Sequence, residues 1–156
     1  MAAAPLLLLA ACAQLPRGQS TPEGGTRDQW SGRLALRVDS EPVQSFFAGF
    51  ELRGNAQSGE LSLYSPLGST LARMQWAPGL AQLDWNGQQR RFDSIGALTH
   101  EATGTELPIA SLFAWLGGQD SQADGWSADL SQLGDGKLVA QRDQPKPAVT
   151  MRLVLD

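Results

Sequence analysis

The side chains able to do acid–base or covalent chemistry are few in this chain, and they do not gather into a pattern. There is one histidine, His100, and one cysteine, Cys12. A zinc site draws its ligands from three or four such groups, so these two fall short. No Gly-x-Ser-x-Gly segment marks a nucleophile elbow, and no Ser/His/Asp set has a recognisable context. No glycine-rich loop leads into a helix as a phosphate cradle does. The carboxylates Asp84, Asp93, Glu101, Glu106, Asp120, Asp124 and Asp129 are scattered. Two carboxylates suffice for a glycosidase, but spacing singles out no pair here. The sequence therefore predicts no enzyme, no metal site and no cofactor. A formal net charge of −4 argues against a nucleic-acid partner and offers no pull toward anionic lipid.

Two features stand apart from this chemically quiet background. The first is the place of Cys12. The segment Met1-Ala2-Ala3-Ala4-Pro5-Leu6-Leu7-Leu8-Leu9-Ala10-Ala11-Cys12 is uncharged and apolar, and polarity returns with Gln14, Pro16 and Arg17. It is too short to span a bilayer, which takes ~20 apolar residues, but it has the length of a signal h-region. Leu9-Ala10-Ala11-Cys12 resembles the lipobox of bacterial lipoproteins, whose cysteine is lipid-modified and becomes the new N-terminus. The other reading is an ordinary secretory signal with a stray cysteine. By the sorting rule of enterobacterial lipoproteins, Ala13 in place of Asp points to the outer membrane. Residues 1–11 are thus expected to be a signal peptide and 12–27 a tether, rich in Gly, Pro, Ser, Thr and Gln. Its fifteen residues after Cys12 span roughly 20–23 Å r.m.s..

The second feature is Ser65-Pro66-Leu67-Gly68. Pro66 fits position i+1 of a type I turn, which places Leu67 at i+2 and Gly68 at i+3. Small polar residues usually take the apex. A leucine there either packs back on a neighbour or is offered to something apolar outside. Single exposed leucines are common, so position alone favours the plainer role.

A scaffold of strands must position both features. From Trp30 onward the apolar period is two. Leu34, Leu36 and Val38 form one set, and Phe46, Ala48, Phe50 and Leu52 the next. Leu61 and Leu63 follow, then Ala72, Met74 and Trp76, then Ala81, Leu83 and Trp85. Each set predicts a strand with one buried face. Pro78-Gly79 reads as a type II turn and Asn86-Gly87 as a two-residue hairpin. Such short links imply antiparallel neighbours. The period then lengthens. Ser94 caps a predicted helix to Thr103, stopped by Gly104, with Ile95, Leu98 and Ala102 at helical spacing. Pro108 opens a second, carrying Ile109, Leu112, Phe113 and Leu116, with Gly117-Gly118 ending it. Three strands close the chain, around Trp126, Ala128 and Leu130, then Leu138 and Ala140 after the Asp135-Gly136 turn, then Met151, Leu153 and Leu155.

The expected domain covers 28–156: α+β, mainly antiparallel β, with about nine strands and two short helices. Two helices are few for so wide an apolar face, so a loosely covered, greasy interior is expected. Candidate lining residues are Leu34, Leu36, Phe46, Phe50, Leu61, Leu63, Met74, Trp76, Leu83 and Trp85. For any one of them, tight core packing is the more common role.

Six features carry a resemblance: the lipobox; Trp30-Ser31-Gly32-Arg33-Leu34-Ala35; Gly59 through Gly68; Asn86-Gly87 with Phe92; Leu107-Pro108 leading to Leu112, Trp115-Leu116 and Gly118; and Met151-Arg152-Leu153. In this order and spacing they resemble the LolB family of outer-membrane lipoprotein receptors. The chain looks compact for that family near its C-terminus. The resemblance implies a curled, incomplete β-barrel with helices as a lid over a hydrophobic cavity. It implies a monomer, lipid-anchored on the periplasmic side of the outer membrane. Such a receptor takes the acyl chains of passenger lipoproteins from a LolA-like periplasmic carrier and inserts them into the membrane without ATP. It also implies that the loop Pro66, Leu67 and Gly68 delivers the passenger to the bilayer, with Leu67 as the exposed aliphatic tip. The competing readings are an anchored acyl-chain-binding or structural lipoprotein without a transfer role, and a LolA-like carrier. A carrier must diffuse, which an anchor at Cys12 opposes.

Mass spectrometry of protein from a Gram-negative host should show loss of residues 1–11 and added lipid on Cys12. An intact or unlipidated N-terminus would refute the lipobox reading. Cys12→Ala should leave the melting temperature unchanged, because the tether adds nothing to the core.

Overall fold

The computed structural model describes residues 28–156, so the predicted signal peptide, Cys12 and the tether lie outside the described residues. The alternating segments form strands β1 (Gln29–Val38), β2 (Gln44–Gly54), β3 (Gly59–Tyr64), β4 (Thr70–Ala77), β5 (Leu80–Trp85) and β6 (Gln88–Arg91). Helices α1 (Ile95–Thr103) and α2 (Ile109–Leu116) follow, and then β7 (Trp126–Asp129), β8 (Lys137–Arg142) and β9 (Val149–Leu155). One antiparallel sheet holds all nine strands in the order β6-β5-β4-β3-β2-β1-β9-β8-β7. The edge strands β6 and β7 do not pair, so the curled sheet stays an incomplete barrel.

Local chemistry sets the connections. Asn86 and Gly87 both take positive φ, 51° and 73°, as a type I′ turn between Trp85 and Gln88 requires. Ser94 Oγ accepts the Ala97 N–H at 3.0 Å and starts α1. Gly104, in the left-handed region at φ 84°, ends α1 by donating its N–H to His100 O. Two details differ from the sequence reading. Leu130 falls just beyond β7, and a 3₁₀ turn, Leu133–Asp135, precedes β8. Three residues are too few to show a helical period, so no pattern signals it.

The inner face is packed, not loosely covered. Leu36, Leu63, Met74 and Leu83 from the strands meet Leu98, Leu112 and Trp115 from the helices in one buried cluster. Trp115 is fully buried, and its indole N–H donates to Ser121 O at 2.8 Å. Phe113 stands edge-on to Trp30 and Trp76, with ring centroids 5.7 Å and 6.3 Å away. Large aromatic side chains let short helices cover more sheet than their length suggests.

Trp76 shows how tightly the lower part of the sheet is built. Its indole N–H donates to Asn55 O at 2.9 Å, which holds the ring over the β2–β3 hairpin. A Cβ on Gly59 would lie 2.7 Å from that ring and 2.6 Å from Arg53 O. Gly59→Ala should therefore cost about 1–3 kcal/mol by overpacking, read as a lower denaturation midpoint with an unchanged m-value.

Candidate functional site

Eight of the ten candidate lining residues, Leu34, Leu36, Phe50, Leu61, Leu63, Met74, Trp76 and Leu83, are buried in the one core cluster. Phe46 is half-buried against that cluster. Trp85 departs from the set. It follows Ala81 and Leu83 in alternation, but it ends β5 and is 42% exposed. Sequence reasoning named Trp115 but not its central place in the core. An α2 face counted one position further round would have included it.

The open space lies beside this cluster. A cleft of about 750 Å³ runs between the α1–α2 segment and the end of the β7–β8 pair. Ile95, Leu107, Ile109 and Trp126 give it apolar walls, and Glu106, Asp124 and Arg142 give it a polar side. Arg142 lies over the Trp126 ring at 5.8 Å and donates from Nη2 to Pro147 O, while its Nε is buried without a protein partner. A second cleft of about 690 Å³ opens beside α2, with Trp30, Asn55, Phe113, Leu116 and Leu155 in its walls. Neither cleft is lined by any of the ten candidates.

The attachment of the helical segment matters most for what the site can do. Within it, polar groups satisfy each other. Thr99 Oγ1 donates to Gly96 O and accepts the Leu107 N–H, and Thr103 Oγ1 bonds Thr99 O and Thr105 O. Ser111 and Ser121 share a hydroxyl contact. Among the described residues, only one hydrogen-bonded pair joins segment 94–122 to the sheet, the Arg90–Glu101 ion pair at 2.6 Å. Arg90 is exposed and Glu101 partly exposed, and such surface pairs contribute little. The segment is held to the sheet by apolar contact.

The Ser65–Gly68 turn forms as its residues predict. Gly68 N–H donates to Ser65 O at 2.9 Å, with Gly68 at φ 84°. Ser69 N–H reaches Ser65 Oγ, and Ser65 N–H reaches Ser69 O. Every short-range hydrogen bond of the loop is made by backbone or serine, and none involves the Leu67 side chain, which is 95% exposed. It does not pack back on the sheet.

Residues 28–150 match the family described as outer membrane lipoprotein LolB. The chain belongs to this family. Similar proteins include the outer-membrane lipoprotein LolB of Bordetella petrii, 34% identical over 99% of this chain and 90% of the relative. The LolB of Bordetella pertussis is 33% identical over 96% of this chain and 87% of the relative. That of Cupriavidus pinatubonensis is 35% identical over 85% and 65%. Membership of the LolB family makes the chain an outer-membrane lipoprotein.

The two environments separate experimentally. Leu63→Ala empties a fully buried position and should cost about 2–5 kcal/mol. Leu67→Glu should change stability by no more than about 0.5 kcal/mol. A fall of several degrees in the Leu67→Glu melting temperature would make Leu67 a packing residue.

Proposed function

We propose that this LolB-family protein receives lipoproteins from a periplasmic carrier, lodges their acyl chains between the sheet and the helical segment, and releases them into the outer membrane at the Leu67 loop. The observation that carries this reading is the attachment of segment 94–122, apolar throughout apart from one exposed ion pair. An acyl chain sliding between α1–α2 and the sheet exchanges one apolar contact for another. Each buried CH₂ is worth ~0.8 kcal/mol, so a chain can offset the contacts it displaces without cofactor or nucleotide. No backbone hydrogen bond to the sheet has to break. The candidates Leu34, Leu36, Phe46, Phe50, Leu61, Leu63, Met74, Trp76 and Leu83 then act as core when the site is empty and as lining when it is filled. The clefts beside the cluster are the natural points of entry. The polar side around Arg142 suits the polar end of a lipid.

The deciding experiment is complementation of a strain depleted of its own receptor. Growth should be restored by the wild-type chain, and failure of an expressed, folded protein would favour an anchored structural lipoprotein. Purified protein should bind a hydrophobic dye 1:1, release it to fatty acid, and keep a cooperative unfolding transition. Dye binding that appears only on partial unfolding would exclude the acyl site. Leu67→Glu should still accept a passenger from the carrier, while transfer into liposomes falls sharply, since a charge enters hydrocarbon at high cost.

A further inference from the structure

The exposed large apolar side chains of the described residues are unevenly placed. They are Val43, Phe47, Leu67, Leu71, Trp85 and Val154. All but Val154 lie toward one end of the β1–β5 half of the sheet, the end at which β1 passes into β2 and β3 into β4. The β3–β4 connection takes off at Tyr64, which pairs with Gly49, two residues from Phe47 on β2. Phe47 is 68% exposed. Leu71 is the extra residue at the bulge, where the register passes from Leu63–Ala72 to Tyr64–Thr70. Val43 lies just before β2, and Trp85 ends β5.

We propose that Val43, Phe47, Leu67 and Leu71, flanked by Trp85, form one bilayer-contact edge, of which Leu67 is only the tip. This rests on the reading above that Leu67 meets the membrane. The occupant is a lipid bilayer and not a protein groove, for three reasons. The stretches that carry Val43, Phe47, Leu67 and Leu71 are free of charge: no charged residue lies between Glu41 and Glu51 or between Glu60 and Arg73. Charged groups near that end include the Arg37–Asp39 ion pair, Glu41 on the β1–β2 connection, Asp84 beside Trp85, and Arg142, Asp143 and Lys146 at the β8–β9 connection; none lies on the Leu67 loop. Tyr64 and Trp85 stand where an amphipathic aromatic ring suits the lipid–water boundary. Finally, residues 13–27 can reach about 50 Å, against roughly 33 Å for the ten residues of β1. A chain anchored at Cys12 can therefore enter the sheet at its far end and still seat this edge on the membrane. Contact strength grows with the apolar area buried, so a single leucine gives a marginal grip and a row of side chains a firmer one.

The test places an environment-sensitive fluorophore on single cysteines in the mature lipoprotein, whose own Cys12 is blocked by its lipid. The sites are Val43→Cys, Phe47→Cys, Leu67→Cys and Leu71→Cys, with Lys137→Cys, exposed at the opposite end, as reference. In phosphatidylethanolamine–phosphatidylglycerol vesicles carrying nitroxide lipid, the four edge sites should shift to the blue and be quenched several-fold more than position 137. Quenching at Leu67→Cys alone would overturn the extended edge and leave the Leu67 reading standing. Quenching at none of the four would overturn both, and equal quenching at 137 would overturn an oriented edge. Phe47→Glu should reproduce the split of Leu67→Glu, with acceptance kept and transfer reduced several-fold. Unchanged transfer in a folded Phe47→Glu protein counts against the proposal.

Discussion

The constraint on which this structure turns is one continuous apolar face. Seven of the nine strands, β1 to β5, β8 and β9, put their buried apolar residues on the same side of the sheet, and β7 adds Trp126. A single sheet cannot cover itself, so curling and the helical segment must remove that face from water. The coverage succeeds, with Leu36, Leu63, Met74 and Leu83 essentially inaccessible. Among the described residues, it succeeds without hydrogen bonds between cover and sheet beyond Arg90–Glu101. A cover held by hydrophobic contact alone is non-directional and tolerates a change of partner.

Much of the fold is legible in the residues because its signals are local. Asn86-Gly87 specifies its hairpin through two positive φ values, Ser94 specifies the start of α1 through one side-chain bond, and strict alternation specifies the inner face of β1 and β2. What is not legible depends on objects far apart in the chain. Alternation places Trp85 on the inner face, but whether it is covered depends on where α1 and α2 end. How well two helices seal nine strands depends on Trp115 and Phe113 meeting Trp30 and Trp76, a contact no window of sequence contains. The residues around Leu67 define their turn fully; whether its side chain turned back or outward is settled by the fold around it.

The two halves of the proposed cycle make opposite demands, and different residues meet them. Holding an acyl chain needs deep apolar surface away from water, which the sheet interior supplies. Releasing it needs apolar surface in water, which is ordinarily a liability. Apart from Val154, the liability is confined to a short loop and its neighbouring strand ends, and backbone and serine hydrogen bonds fix the shape of that loop. Altering those side chains therefore need not disturb the core.

The unpaired edges of β6 and β7 carry a further consequence. In a closed barrel, strand number and stagger lock the girth, and widening it means breaking a ladder of hydrogen bonds. This sheet has a seam instead. An open sheet needs no strand pair broken to change its girth by coiling. The four residues of β6, two glutamines and two arginines, are all exposed and guard that edge against pairing with another chain. In the proposed cycle the seam is an expansion joint, through which one fixed hydrogen-bond pattern accommodates cargo of different bulk.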